Sequence, residues 1–472
     1  MARITTDICV IGAGSGGLSV AAGAAQMGAR VVLVEGGEMG GDCLNAGCVP
    51  SKALLAAAKH AHAMTTGAPF GITPVVPQVD YAAVKDHVDR VIAAIAPMDS
   101  QERFEGFGVQ VIRAWGRFIS PTELQAGDDT ITARRFVIAT GSRPLVPPIP
   151  GVDSVPYLTN ETIFALRDKP QHLIIIGGGP IGMEMAQAHV RLGCKVTVIE
   201  GAKALGRDDP EMAAVVLDAL RAEGVAILQD APVVRISGTP AGIEVVTGDG
   251  QTLIGSHLLM AVGRQVTLDP LNLDAAGVAF TRRGVTVGAD LRSTNRRIYA
   301  VGDAAGGLQF THVAGYHAGV IARSILFGLP SKAKTTHIPW VTYTDPELAQ
   351  VGLTEAEART AHADALTIVR HTFAHNDRAQ SGLQTQGLIK VMVVKGRPIG
   401  VSIAGPQAGE LIGLWALVLA NGMKMAAVAN MVAPYPTLGE VSKRAAGAYF
   451  SPKLFDNPMV KRVVRLVQRI VP

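Results

Sequence analysis

The chain has 472 residues, 48% of them apolar and only 17% charged, which is enough for several hydrophobic cores and excludes a disordered protein. Its 53 glycines follow no triplet period, so a collagen-like rod is excluded and the excess points to tight turns. A net charge of +4 without a basic stripe argues against a nucleic-acid partner, and four cysteines are too few for a disulfide scaffold, favouring a reducing compartment.

Residues 1–6 pass directly into a strand-like run at 8–11, and no signal peptide is read there. Residues 7–35 read strand, glycine-rich turn, helix, strand, with Gly12, Gly14 and Gly17 in the turn, Gly28 at the helix C-cap and Glu35 closing the unit. The 23 residues from Gly12 to Glu35 come close to the roughly 20 expected between such a turn and a ribose-binding carboxylate. The chemistry needs these residue types. The first glycine makes the turn, the second lets backbone approach a pyrophosphate, and the third lets helix pack on strand. The helix N-terminus then offers free N–H groups to the anion.

Residues 40–59 read GGDCLNAGCVPSKALLAAAK, with an Ala/Leu-rich helix expected from about Ser51. In a regular helix Cys43 and Cys48 would lie roughly 8–9 Å apart at Cα, beyond the ~7 Å that a disulfide tolerates. A bridge therefore requires a departure from helix, which Gly47 is suited to permit. Two buried free thiols or a metal pair are the other readings, although the spacing is not CxxC and no third cysteine lies nearby. Lys52 falls one turn after Cys48 on the same face, where its charge and the helix dipole favour a Cys48 thiolate. Cys9 and Cys194 read as core residues.

Residues 135–142 (RFVIATGS) deliver Thr140 and Gly141 at the end of a strand. Residues 172–200 then repeat the first unit, with Gly177, Gly179 and Gly182 in the turn, Pro180 opening the helix, Gly193 at its C-cap and Glu200 at the same 23-residue interval. One such turn is weak evidence. Two, each between a strand and a helix, indicate two dinucleotide sites. Residues 297–303 (RIYAVGD) bring Gly302 and Asp303 to another strand end, where Asp303 also reads as a helix cap.

From Thr336 the texture changes to strands near 341–343, 367–372, 389–394 and 399–403, followed by helices near 410–421 and 425–431. The apolar run 411–420 has half the length of a membrane span. At the end of the chain Val460, Val463, Val464, Val467 and Ile470 line one helical face, opposite Lys461, Arg462, Arg465 and Arg469. Such a helix lies on an anionic membrane surface or an acidic partner, or packs on its own domain or dimer mate. The pairs His60/His62 and His371/His375 read as incidental surface residues.

Two dinucleotide units with a CxxxxC followed by PSK resemble the pyridine nucleotide–disulfide oxidoreductases, class I, whose branches include dihydrolipoamide dehydrogenase, glutathione reductase and mercuric reductase. The resemblance runs through GAGSGG at 12–17, GGDCLNAGCVPSK at 40–52, ATG at 139–141, GGGPIGME at 177–184 and YAVGD at 299–303. It implies that Gly12, Gly14, Gly17, Glu35, Thr140, Gly141, Gly302 and Asp303 hold FAD. It implies a redox-active Cys43–Cys48 disulfide, with Cys48 against the flavin and Cys43 meeting the acceptor. Lys52 resembles the lysine paired with the Glu184 position beside the flavin. His312, in FTHVA, resembles the family histidine at a helix N-terminus near the flavin C2 carbonyl; a plain helix-start residue is the alternative. Gly177, Gly179, Gly182, Glu200 and Gly263 fall to the nicotinamide cofactor. A carboxylate at Glu200 favours a ribose 2′-OH and hence NADH, whereas Lys203 and Arg207 are near enough to leave NADPH as the second choice.

The chain departs from the disulfide-reducing branches at one motif. Those carry HPT followed by Glu, reaching across the dimer, where this chain has Tyr435-Pro436-Thr437 and Glu440. Tyrosine, with a solution pKa near 10, is a poor base at neutral pH but donates a hydrogen bond or contacts a soft metal. Mercuric reductase resembles this chain in having Tyr there, but its C-terminal cysteine pair and N-terminal extension are not found in RLVQRIVP or at Met1.

The expected architecture is α/β, with two Rossmann-like dinucleotide-binding domains and a C-terminal α+β dimerisation domain. The expected boundaries are 1–150 with 265–335 for FAD, 151–264 for NAD(P)H and 336–472 for the interface. The expected activity passes electrons from NAD(P)H through FAD to Cys43–Cys48 and on to an acceptor, in the manner of mercuric reductase. A dihydrolipoamide dehydrogenase-like dithiol reaction, or a docked flavoprotein with a vestigial disulfide, are the alternatives. Cys43, Cys48, Lys52, Glu184, Tyr435 and Glu440 are the catalytic candidates, and no metal-ligand set is assigned. A cytoplasmic homodimer is expected, with a small-molecule or metal-ion acceptor, no nucleic acid, and the basic C-terminal helix as a candidate peripheral membrane contact.

Overall fold

The computed structural model describes residues 2–471; Met1 and Pro472, at the outer limits of the first and last expected domains, lie outside the described residues. The chain divides into two compact units, one formed by residues up to 201 with 228–334, the other by 202–227 with 335 onward.

The first unit opens with β1 (Arg3–Ile11), α1 (Ser15–Gln26) and β2 (Val31–Val34). Residues 8–11 and 31–34 are buried throughout. A parallel sheet covered on both sides has no wet face, which is why these strands read as unbroken apolar runs. β1 pairs in parallel with β2 on one side and with Asp129–Ile138 on the other. Ile298–Ala300 pairs in parallel with the end of that last strand, so a segment from far down the chain re-enters the first sheet. All four strands therefore run out at the same sheet edge. The loops beginning at Gly12, Glu35, Ala139 and Val301 emerge there, where open α/β sheets bind ligands.

A second parallel sheet places His172–Ile176 between Lys195–Ile199 and His257–Met260. Helix Pro180–Arg191 connects the first two of these strands. A three-stranded antiparallel sheet, Val233–Thr239, Gly242–Thr247 and Thr252–Gly255, follows in the same unit.

The second unit is built on five antiparallel strands in the order Pro339–Thr342, Glu347–Gly352, Arg397–Gly405, Leu388–Val394, Leu366–Thr372. The strand Glu347–Gly352 is absent from the sequence reading, since its buried run is only LAQV and follows Pro346. Helices Ala408–Ala420 and Glu440–Phe455 close the core, with Ile412, Trp415, Val441 and Ala445 buried alongside Val391, Val401 and Ile403. The Trp415 indole N–H donates to Ser442 Oγ at 3.0 Å, which satisfies the one polar atom that this large side chain brings inside.

Lys390, on a central strand of this sheet, is also buried. Its ammonium donates to Asp209 at 2.8 and 2.9 Å and lies 2.6 Å from Glu211 and 2.8 Å from Glu355. Arg370 bonds the same two glutamates from the surface.

The architecture is thus the expected α/β one, with two Rossmann-like units and a C-terminal α+β domain. No helix among the described residues is long and apolar enough to cross a membrane.

Candidate active site

The first glycine loop is shaped by close backbone approach. Gly12 has φ +104°, and a Cβ there would overlap the Ala139 carbonyl; a Cβ on Gly17 would overlap the carbonyl of Gly12 itself. Gly14 begins α1 without a side-chain cap, leaving the helix N-terminus open to an anion. Glu35, just past β2, accepts from Ala13 N at 2.5 Å and from Gly37 N at 2.6 Å, so its carboxylate fixes the loop.

The second loop repeats these contacts. A Cβ on Gly177, at φ +113°, would overlap the Ala261 carbonyl, and one on Gly182 the carbonyl of Gly177. Gly179 opens its helix uncapped. Glu200 accepts from Gly178 N at 2.7 Å, as Glu35 does from Ala13. Gly263, also at positive φ, follows the end of strand His257–Met260.

Against the first loop lies the cysteine segment. Gly40 N donates to Ala13 O at 3.0 Å, and a Cβ on Gly41 would come within 2.8 Å of Gly14 Cα. This approach explains the glycine at 41, while Gly40, at φ +84°, is required because a Cβ there would overlap the Leu44 side chain. Cys43 sits in a short helix, α2 (Gly41–Asn45), and Cys48 is the first residue of α3 (Cys48–Thr65), three residues earlier than expected. Ala46 and Gly47 break the helix between them, as a close sulfur pair requires. At Gly47 a side chain would meet Asp42 at 2.8 Å. Both cysteines are free thiols here and hydrogen-bond each other.

The two thiols are held in opposite states. The hydrogen bond from Cys43, with help from Thr311 and the Lys52 charge, lowers Cys48, an exposed residue, to about 6 against partial desolvation and the Asp42 charge. That same bond, followed by burial and the negative charge on Cys48, pushes Cys43 well up. Cys48 Sγ also lies 3.3 Å from Thr311 Oγ1, at the first turn of helix Thr311–Phe327, whose positive dipole end favours the thiolate. His312 is the second residue of that helix, and its ring stacks on Phe310 with centroids 5.3 Å apart.

Lys52, one turn along α3, donates to Glu184 Oε2 at 2.7 Å, and Glu184 is buried in the helix of the second glycine loop. The ion pair ties the cysteine helix to the helix of the second glycine loop, a pairing that the family resemblance implied.

A further polar chain was not visible in the sequence. Ser142 Oγ donates to Asp303 Oδ2 at 2.5 Å, and Arg264 donates to Ser142 Oγ at 2.7 Å. The same guanidinium lies 3.2 Å from Asp42, beside Cys43, and Asn160 donates to Asp42 at 2.8 Å. Burial raises the Asp303 carboxyl, and the Ser142 bond and Arg264 charge hold it back. Thr140 Oγ1 donates to Thr267 O at 2.7 Å, and Gly302 N donates to His317 Nδ1 at 3.2 Å, which marks that buried ring as a neutral acceptor. Trp115, exposed, covers Gly36 beside Glu35. Cys9 and Cys194 are buried core thiols, as expected, and burial raises both.

These residues fit FAD. A glycine cradle that any Cβ would fill, an open helix end, and Glu35 and Asp303 at strand ends match the donors and acceptors of a dinucleotide. The second loop offers the same to NAD(P)H.

Tyr435 and Glu440 lie in the second unit. Tyr435 OH donates to Asp377 Oδ2 at 2.9 Å, a partner that the sequence did not indicate, and this bond raises the Tyr435 pKa above its ordinary 10. Glu440 begins its helix, with Arg444 4.0 Å away, and its buried Oε2 has no hydrogen-bond partner among the described residues.

Comparison with known proteins agrees with this geometry. The family described as pyridine nucleotide-disulphide oxidoreductase matches residues 6–318, and its dimerisation domain matches 338–446. The chain is 34% identical to the mercuric reductase of Streptomyces lividans, over 94% of this chain and 96% of that protein. It is 32% identical to the dihydrolipoyl dehydrogenase of Bacillus subtilis, over 93% and 97%. Among solved structures it resembles a Cu(II) complex of the HOCl-induced flavoprotein disulfide reductase RclA from Escherichia coli, with a TM-score of 0.84, 28% identity, and coverage of 95% and 99%. The chain belongs to the pyridine nucleotide-disulphide oxidoreductase family. It is an FAD-dependent oxidoreductase that uses NAD(P)H.

Proposed function

We propose that this enzyme passes electrons from NADH to the Cys43/Cys48 pair and from there to a soft metal ion, the kind of acceptor named by its mercuric reductase relatives. When bound, FAD supplies a two-electron carrier between the nicotinamide and the sulfur pair. The chain's own residues do the rest. Two electrons open a Cys43–Cys48 disulfide. Because Cys48 stays ionised at neutral pH, a single proton is taken up, at Cys43. Lys52 and the helix end at Thr311 hold the Cys48 thiolate, and Glu184 orients Lys52. Cys43 is left as the thiol that meets the acceptor. The discontinuous FAD domain (1–150 with 265–335), the NAD(P)H domain (151–264) and a homodimer formed through 336–472 belong to the same proposal.

The observation that carries the choice of acceptor is Tyr435. Its hydroxyl is engaged as a donor to Asp377 and its pKa lies above 10, so position 435 supplies no base for a dithiol substrate at neutral pH. The dihydrolipoyl dehydrogenase relatives keep a disulfide acceptor as the second reading. A vestigial disulfide is not favoured, since both cysteines, Lys52 and Glu184 are assembled. Glu200, at the end of its strand, supports NADH, because a carboxylate there repels a 2′-phosphate.

Turnover with Hg(II), lipoamide and oxidised glutathione, measured side by side on wild type and Tyr435→His, tests the assignment. Wild type is expected to favour Hg(II), and the substitution is expected to raise disulfide turnover relative to metal turnover by about 10²-fold, the scale of one general base. An unchanged ratio overturns the reading of Tyr435. Glu200→Ala is expected to narrow the preference for NADH over NADPH, read as the ratio of kcat/KM values.

A further inference from the structure

We propose that the C-terminal helix Pro458–Ile470 docks the enzyme on an anionic phospholipid surface, a property separate from the redox reaction. The helix is well specified locally. Asn457 caps it by accepting from Met459 N at 2.9 Å, and Pro458 occupies its first position, where no hydrogen bond is lost. Its 13 residues rise about 20 Å. At 100° per residue, Met459, Val463, Val464, Leu466, Val467 and Ile470 share one continuous arc of about 160°, and the cations occupy the opposite side.

Helix Ala408–Ala420 shows what a helix serving its own core looks like, for it buries Ile412, Trp415 and Val418. The C-terminal helix buries none of its residues, and the six apolar side chains are 42–69% exposed. Leu454 and Phe455, just before it in the chain, are exposed as well. The helix also lies beyond residues 338–446, the part of the chain that matches the family's dimerisation domain.

Charge decides the occupant. Lys461, Arg462, Arg465 and Arg469 are accompanied by no acidic residue after Asp456, and these four cations equal the formal net charge of +4 of the whole chain. Lys461 and Arg462 lie about 60° and 40° beyond the two ends of the arc, so a second copy pairing through this helix would set cations against cations along both edges. Anionic headgroups neutralise those edges, while the acyl boundary takes up the apolar arc.

The test uses the FAD-loaded full-length enzyme and sedimentation with vesicles of phosphatidylcholine alone or with 30% phosphatidylglycerol. Binding to the anionic vesicles is expected to be at least tenfold stronger than to neutral ones and to weaken in 0.5 M NaCl. The double substitution Arg465→Glu with Arg469→Glu is expected to lose at least tenfold in binding, since each cation near such a surface contributes about fivefold. Its soluble turnover, melting temperature and sedimentation mass should be unchanged. Equal binding to both vesicle types, no binding to either, or full binding by the double variant overturns the proposal. So does a fall in that variant's mass from dimer to monomer, which would assign the face to a second copy.

Discussion

Cys43 and Cys48 differ in proton affinity because the Cys43 thiol donates to the Cys48 sulfur and, although Thr311 reaches both, Lys52 places its charge beside Cys48. The depressed Cys48 value means that the thiolate is present above about 6 and is lost as pH falls through it. Alkylation of the reduced enzyme by iodoacetamide, followed by peptide mass, should therefore show half-maximal Cys48 labelling near pH 6 with Cys43 unmodified at pH 7. Lys52→Met should move the midpoint upward. A Cys48 midpoint above 8 would contradict this account of the pair. The spacing of the two cysteines already implied a break in the helix, and Gly47 supplies it. What spacing could not convey is Arg264, which reaches Asp42 and Ser142 together although all three are far apart in sequence.

The repeated strand–turn–helix–strand unit was the most legible element. Gly17 and Gly182 are required by contacts within their own loops, and Gly12 and Gly177 by the distant strand ends at Ala139 and Ala261, but the fixed spacing of all of them is local and therefore legible. Because a methyl group on Gly182 would overlap the Gly177 carbonyl, Gly182→Ala should weaken NAD(P)H binding by roughly 10–100-fold, the scale of core overpacking. The bound-flavin absorbance near 450 nm should persist. Gly17→Ala should do the reverse, yielding colourless protein. Loss of flavin from both variants alike would mean that the two loops do not serve separate cofactors. The strand Glu347–Gly352 escaped notice because its burial comes from neighbours on both sides, Pro339–Thr342 and Arg397–Gly405, rather than from its own pattern.

For the molecule as a whole, stability in the second unit depends on a buried charge cluster. Burial opposes the Lys390 charge, yet hydrogen bonds to Asp209, Glu211 and Glu355 outweigh it and raise the pKa above 10.5. Its contribution is therefore complete below 10.5 and lost only at higher pH. Glu211 and Glu355, lowered against the cost of burial by Lys390 and, in turn, by Arg370 and Arg359, contribute above their ordinary 4.5 and lose that contribution in acid. Lys390→Met should cost about 3–5 kcal/mol, because it leaves the buried Asp209 carboxylate unpaired. Denaturant unfolding at pH 7 measures this, and a loss under 1 kcal/mol would show that the cluster contributes little.

Sequence alone determined the two dinucleotide units, the cysteine segment with Lys52, and the change of texture near Thr336, because each depends on short-range periodicity or on glycines that local geometry demands. Only the tertiary structure decided that Gly41 packs on Gly14, that Arg264 joins Asp42 to Ser142 and Asp303, and that Asp377 takes the Tyr435 hydroxyl. Those partners are brought together by strand pairing and loop closure across tens to hundreds of residues. A hydrogen bond made at such separation leaves no period in the chain by which to find it.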